Sequence, residues 1–139
     1  MKKTQPIGTV VVTHGNIGVE MVRAAASIVI DPNPMVGVAL EHDEEVDRMR
    51  EKIRAAIMEV DRDGGVLLLS DMFGGTPSNL CLSFLEEGKV EVITGANLPM
   101  IIKLASLKDH QSLGDTAEFI REYGQKNIAL AGAVLKSDR

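Results

Sequence analysis

His14 occupies the position in this chain where a side chain is best placed to do chemistry. It follows Ile7–Thr13, a run rich in β-branched residues that predicts a buried strand, and precedes a helical pattern beginning near Ile17. Imidazole titrates near neutrality, so a neutral ring offers a nucleophilic lone pair at physiological pH. The amino terminus of the following helix offers unpaired N–H groups and partial positive charge, which suit a phosphate. The competing reading is a strand-end histidine that only caps a turn.

Two further segments bear on that choice. Asp71-Met72-Phe73-Gly74-Gly75-Thr76-Pro77 follows the apolar run Val66–Ser70, and Thr94-Gly95-Ala96-Asn97-Leu98-Pro99-Met100 follows Val90–Thr94. Ligands of open parallel sheets bind beyond the carboxyl ends of the strands, where strand order reverses. If the first and third strands are neighbours, His14 and Asp71 meet there. A carboxylate that accepts the proton of one ring nitrogen fixes the tautomer and frees the other nitrogen for attack. Gly74-Gly75 lets backbone N–H groups approach a phosphoryl oxygen, and Thr76 adds a hydroxyl while capping its helix. Taken singly, Asp71 is equally an Asx turn residue and Gly74-Gly75 a tight turn. Their shared sheet edge with His14 favours a functional site.

Other chemistries lack their residues. No GxxxxGK[ST], no GxGxxG after the first strand and no GxSxG occurs in the chain. His14, His42 and His110 show neither HExxH spacing nor a cysteine partner, so no metal and no cofactor is expected. His42 and His110 read as solvated loop residues. Cys81, flanked by Leu80, Leu82, Phe84 and Leu85, reads as a buried thiol on a helix.

The elements that must position these groups alternate along the chain. A helix from near Ile17 turns Ile17, Met21, Ala25 and Ile28 to one face and ends at Asp31-Pro32-Asn33-Pro34. Met35–Leu40 predicts a second strand. From about Asp43 to Asp61 a helix carries the apolar stripe Val46, Met49, Ile53, Ile57 and Val60 over a charged, solvated face. Pro77 to Glu86 predicts a third helix, Asn97-Leu98-Pro99 opens another, and Leu113 to Tyr123 forms one more with Leu113, Ala117 and Ile120 on one face. Ile128–Leu135 fits a fifth strand or a helix segment equally well. Strands separated by helices define an α/β fold, and 139 residues without an internal repeat or linker indicate one domain, 1–139.

Composition narrows the partners. A net charge of −5 argues against nucleic acid and against an anionic membrane surface. With no signal-like or membrane-length apolar stretch, a cytoplasmic location is expected.

The three edge segments, read in order with their flanking Val11-Val12, Ser78-Asn79 and Ile93, resemble the mannose-type IIA component of the bacterial phosphoenolpyruvate-dependent sugar phosphotransferase system, and the resemblance spans nearly the whole chain. It implies a phosphotransferase component acting through a phosphohistidine: His14 takes a phosphoryl group from the phosphocarrier HPr and passes it to a IIB component. It implies that Asp71 orients the ring and that Thr13, Gly74, Gly75 and Thr76 hold the phosphate, with Phe73, Asn97, Leu98 and Met100 on the rim that meets partners. The implied fold is a three-layer open sheet with a parallel 2-1-3-4 core and a fifth, antiparallel carboxyl-terminal strand, Ile128–Leu135, exchanged within a homodimer. Asn16 departs from relatives that carry an apolar or aromatic residue there. With no fused IIB domain before Arg139, the acceptor is expected on a separate chain, and contact with the membrane is expected only through the sugar permease. A phosphotransfer subunit similar to that of dihydroxyacetone kinase and a regulatory phosphoprotein are alternatives within the same chemistry. A metal-dependent hydrolase using His14 and Asp71 is an alternative outside it.

Overall fold

The computed structural model describes residues 5–109 and 111–137, so the expectation for His110 lies outside the described residues. The elements run β1 (Gly8–His14), α1 (Ile17–Ile28), β2 (Met35–Leu40), α2 (Val46–Val60), β3 (Val66–Ser70), α3 (Thr76–Leu82), β4 (Val90–Thr94), α4 (Leu98–Ser106), α5 (Leu113–Lys126) and α6 (Ala131–Ser137). The four strands pair in parallel in the order β2-β1-β3-β4. The chain therefore moves one way from β1 to β2 and the other way from β3 to β4. The reversal lies between β1 and β3, whose register sets Val12 opposite Ser70.

Side chains alternate across the sheet and fill two cores. Val10, Val12, Leu40 and Leu68 pack with Met49, Ile53 and Val60 of α2 and Leu80 and Cys81 of α3. On the other face Val11, Leu67 and Leu69 pack with Ala25 of α1, Met100, Ile101 and Leu104 of α4, and Ala117 and Ile120 of α5. Helices on both faces explain why β3 reads as one continuous apolar run, buried at every position. No helix among the described residues is long and apolar enough to cross a membrane.

The structure departs from the sequence expectations in four places. In α1 the inward face is Gly18, Met21, Val22 and Ala25, while Ile17 and Ile28 are exposed. The close approach of the helix to β1 and β2 at Gly18 and Gly37 sets that rotation. In α2, which starts at Val46 rather than Asp43, Ala56 joins the buried face and Val46 is exposed. Helix α3 starts one residue early with Gly75 as its cap, and it ends at Leu82, not Glu86. Beyond it the amides of Ser83, Phe84 and Leu85 bond carbonyls only three residues back, and Glu86 then bridges to Val90 in both directions at 3.1 and 2.9 Å. This bridge draws the chain into β4.

The fourth departure is the carboxyl-terminal run. Ala131–Ser137 is helical, and no fifth strand forms among the described residues. Backbone groups need hydrogen-bond partners, and within this one chain the segment finds them locally, with Val134 N–H donating to Leu130 C=O at 3.1 Å. Ile128, Leu130 and Leu135 are exposed.

The fit of α1 on the sheet gives a test of this architecture. A Cβ at Gly37 would lie 2.5 Å from Val19 Cα and 2.6 Å from Val19 N. Gly37→Ala is expected to destabilise the protein by about 1–3 kcal/mol in denaturant unfolding. Gly114→Ala meets no atom within 4 Å and is expected to be neutral or stabilising by up to about 1 kcal/mol. Equal effects of the two would contradict the close helix–sheet contact.

Candidate functional site

The reversal point brings His14, the last residue of β1, beside Asp71, the first residue after β3. Both His14 N–H groups that face the carboxylate converge on one oxygen. The backbone N–H donates to Asp71 Oδ2 at 3.1 Å, and ring Nδ1 lies 2.8 Å from the same atom. Because a carboxylate only accepts, Nδ1 carries the proton and Nε2 keeps its lone pair. The other oxygen, Asp71 Oδ1, accepts from the Met72 N–H at 3.1 Å. The His14 side chain is 51% exposed and that of Asp71 only 17%. Burial, the largest single influence on Asp71, pushes its pKa up. The hydrogen bonds from the His14 ring and backbone outweigh it, and the carboxyl ends below its ordinary range.

Nε2 looks toward the turn before α3. A Cβ at Gly75 would stand 2.9 Å from His14 Cε1 and 3.2 Å from Nε2, so a glycine is required for the turn to come this close to the ring. Gly74, at φ +94°, holds a conformation that favours glycine. Thr76, exposed at the start of α3, lines a cleft of about 290 Å³ together with His14, Gly15, Leu40, Glu41, His42, Met49 and Pro77.

Other expected site residues have structural work instead. Thr13 is fully buried; its Oγ1 accepts from Gly18 N–H at 2.7 Å and donates to Gly15 C=O at 3.3 Å. It fixes the turn into α1 and has no free hydroxyl for a phosphate. Asn97 caps α4, its side chain accepting from Met100 N–H at 3.2 Å and donating to Gly124 C=O at 3.0 Å. Met100 is buried in the core, so it cannot form a rim. Phe73 is 73% exposed. Leu98, half-buried, lines an apolar groove with Asn16, Ile17, Glu20, Met21 and Ala24.

Two residues were not legible as site components. Ser78, fully buried, accepts the Gly74 N–H at 3.0 Å. It is the third residue of a helix whose cap, Gly75, has no side chain, and it reaches back as such residues do in capping boxes. That position was the available signal. His42, expected as a solvated loop residue, is exposed but lines the same cleft as His14. Cys81 is buried as expected. Burial, with the nearby Asp71 charge adding to it, pushes its thiol up to about 12, so it stays protonated. No group of three His, Cys, Asp or Glu side chains suited to a metal gathers among the described residues.

Known proteins share the fold and the family of this chain. Residues 8–121 match the family model described as PTS system fructose IIA component. The PTS fructose-specific EIIA component of Bacillus subtilis (strain 168) is 26% identical over 131 residues, which cover 94% of this chain and 90% of that protein. The PTS mannose-specific EIIAB component of Escherichia coli (strain K12) is 26% identical over 124 residues, covering 88% of this chain but 38% of that longer protein. Among solved structures, the mannose/sorbose specific IIA subunit from Enterococcus faecalis superposes with a TM-score of 0.80 at 21% identity, over 91% of this chain and 95% of that one. The PTS IIA protein associated with the fucose utilization operon from Streptococcus pneumoniae gives 0.80 at 24% identity, over 96% and 99%. These two structures share the fold.

The lowered pKa of Asp71 has a thermodynamic consequence with a definite sign. A carboxyl depressed on folding contributes stability that is fully present above its unfolded pKa of about 3.9 and is lost as pH falls through the folded value. Native protein is therefore expected to melt above Asp71→Asn by a constant margin at pH above about 5, with the gap narrowing below about pH 4. A gap that does not change with pH would show that the carboxylate is not held by His14.

Proposed function

The chain belongs to the PTS system fructose IIA component family, and on that premise we propose that His14 accepts a phosphoryl group from the phosphocarrier HPr and passes it to a IIB component. The observation that carries this reading is the 2.8 Å contact of His14 Nδ1 with Asp71, which leaves Nε2 free in an open cleft. The Nε2 lone pair attacks phosphorus as the donor's P–N bond breaks, and that electron pair returns to the donor nitrogen. Nδ1 keeps its proton throughout. The ring thereby gains positive charge, and the Asp71 carboxylate stabilises it from the opposite side. Transfer onward to IIB reverses these movements.

Little covalent machinery is needed for such an exchange, since positioning and electrostatics lower most of the barrier. The Gly75 backbone and the Thr76 hydroxyl hold the phosphoryl oxygens beside Nε2. Gly74 shapes the turn, with its own N–H engaged by Ser78. Donor and acceptor dock in turn over the same exposed ring. Met72 and Phe73, 54% and 73% exposed, form the apolar rim on one side, and the Ile17–Leu98 groove forms it on the other. The protein acts in the cytoplasm as a homodimer, reaches the membrane only through the sugar permease, and uses neither metal nor cofactor.

Incubation with phosphoenolpyruvate, Enzyme I and HPr is expected to place acid-labile phosphate on His14, and His14→Ala is expected to take none. Asp71→Ala is expected to label at least about tenfold more slowly, a loss of roughly 1.4 kcal/mol of transition-state stabilisation, while keeping its circular dichroism spectrum. Unlabelled native protein, or an Asp71→Ala variant as fast as native, would overturn the assignment.

A further inference from the structure

The phosphoryl cleft is poor in positive charge. Of the residues that line it, only His14 and His42 can become cations, and Glu41 stands among them as an anion. A phosphoryl group on Nε2 adds two negative charges to this space. His14 is saturated by Asp71 on its Nδ1 side. Among the lining residues, His42 is the other group that could supply positive charge there.

His42 is held where it can serve. His14 is in register with Leu40 on the neighbouring strand, and Gly15 N–H donates to Leu40 C=O at 3.0 Å. Strands so paired lie about 4.8 Å apart, and His42 is two residues beyond Leu40. The turn that carries it is closed by Glu44 N–H donating to Glu41 C=O at 3.2 Å and by Glu41 N–H donating to Glu44 Oε1 at 2.7 Å. Glu44 is anchored in turn by Lys52 Nζ at 3.0 Å and Arg48 Nε at 3.3 Å, and Lys52 also donates to Ala39 C=O. Lys52, held by both Glu44 and Ala39, ties the base of the turn to β2, and the cleft lining includes His42 but neither α2 cation.

We propose that His42 is a second phosphoryl-facing group, whose imidazolium pairs with an oxygen of the phosphoryl carried on His14 Nε2. The inference rests on the His14 relay described above. The charged groups that bear on His42 are Glu41, Asp43 and Glu44 on its own turn, Arg48 and Lys52 of α2, which pair with Glu44, and His14 across the cleft with Asp71 paired behind its ring. The charge that phosphorylation adds to this set is that of the phosphoryl group itself. Proton binding to His42 and phosphoryl binding to His14 then favour each other reciprocally.

The test follows the His42 ring resonances by NMR through a pH titration, before and after His14 is phosphorylated chemically with potassium phosphoramidate. The titration midpoint is expected to rise by about half a pH unit or more on phosphorylation, as an opposite charge close by but partly screened by water requires. Reciprocally, the transfer equilibrium from phospho-HPr is expected to favour native protein over His42→Gln about threefold more at pH 6 than at pH 8. His42→Lys is expected to keep the favourable equilibrium at both. An unmoved midpoint, or a native-to-His42→Gln ratio independent of pH, overturns the pairing. If phosphoramidate labels His14 and phospho-HPr does not, the relay role falls while the titration still decides the pairing. If neither labels His14, both fall.

Discussion

One oxygen atom organises the site. Asp71 Oδ2 receives the backbone N–H of His14 and its ring Nδ1 at 3.1 and 2.8 Å, joining the ends of two strands by a side chain and fixing an imidazole at the same time. This double contact is available only because β1 and β3 are parallel neighbours in a register that sets Val12 against Ser70. In antiparallel strands, or with another strand between them, the two residues would end at different places. The crossover helices α1 and α2 and the two cores behind them serve to keep that register.

The same contact reconciles exposure with reactivity. The ring proposed to relay phosphate is half exposed, and an exposed ring is ordinarily free to rotate. Asp71, largely buried, holds it from beneath, while Gly75 brings the turn to within contact distance of Cε1 and Nε2. Ser78 anchors that turn from inside the protein. Thr13 does the equivalent on the other side, tying the turn after His14 to the start of α1. The His14 ring is thus oriented by neutral and anionic groups, and the residues lining the cleft that could carry positive charge are histidines.

Much of this was legible in the residues. Met35–Leu40, Val66–Ser70 and Val90–Thr94 are strands at the bounds their patterns indicate, and α1 starts at Ile17 as expected although its apolar pattern misplaces the inward face. The pairing of His14 with Asp71 could be anticipated because strand-end chemistry in open sheets gathers at a reversal of order. Hydrophobic pattern did not reveal the use of hydroxyls and amides. The resemblance puts Thr13 on the phosphate and Asn97 on the rim, and whether such a group points to a cleft or to a neighbouring backbone is decided by tertiary packing. Met100 sits at the third position of α4, where exposure depends on which way the helix turns. Ile128–Leu135 is apolar enough for a strand, yet a strand needs an edge, and the described residues of one chain use local bonds there. His42 reads as a solvated residue because loops normally run over the surface, and the pairing of β2 with β1 brings its turn to the cleft.

The regiochemistry of the phosphohistidine tests the central arrangement most directly. In protein labelled with ¹⁵N at the histidine rings, phosphorylated His14 is expected to show phosphorus coupling at Nε2, with Nδ1 still protonated toward Asp71. Coupling at Nδ1 would require the Asp71 contact to break before transfer and would contradict a site built around that single carboxylate oxygen.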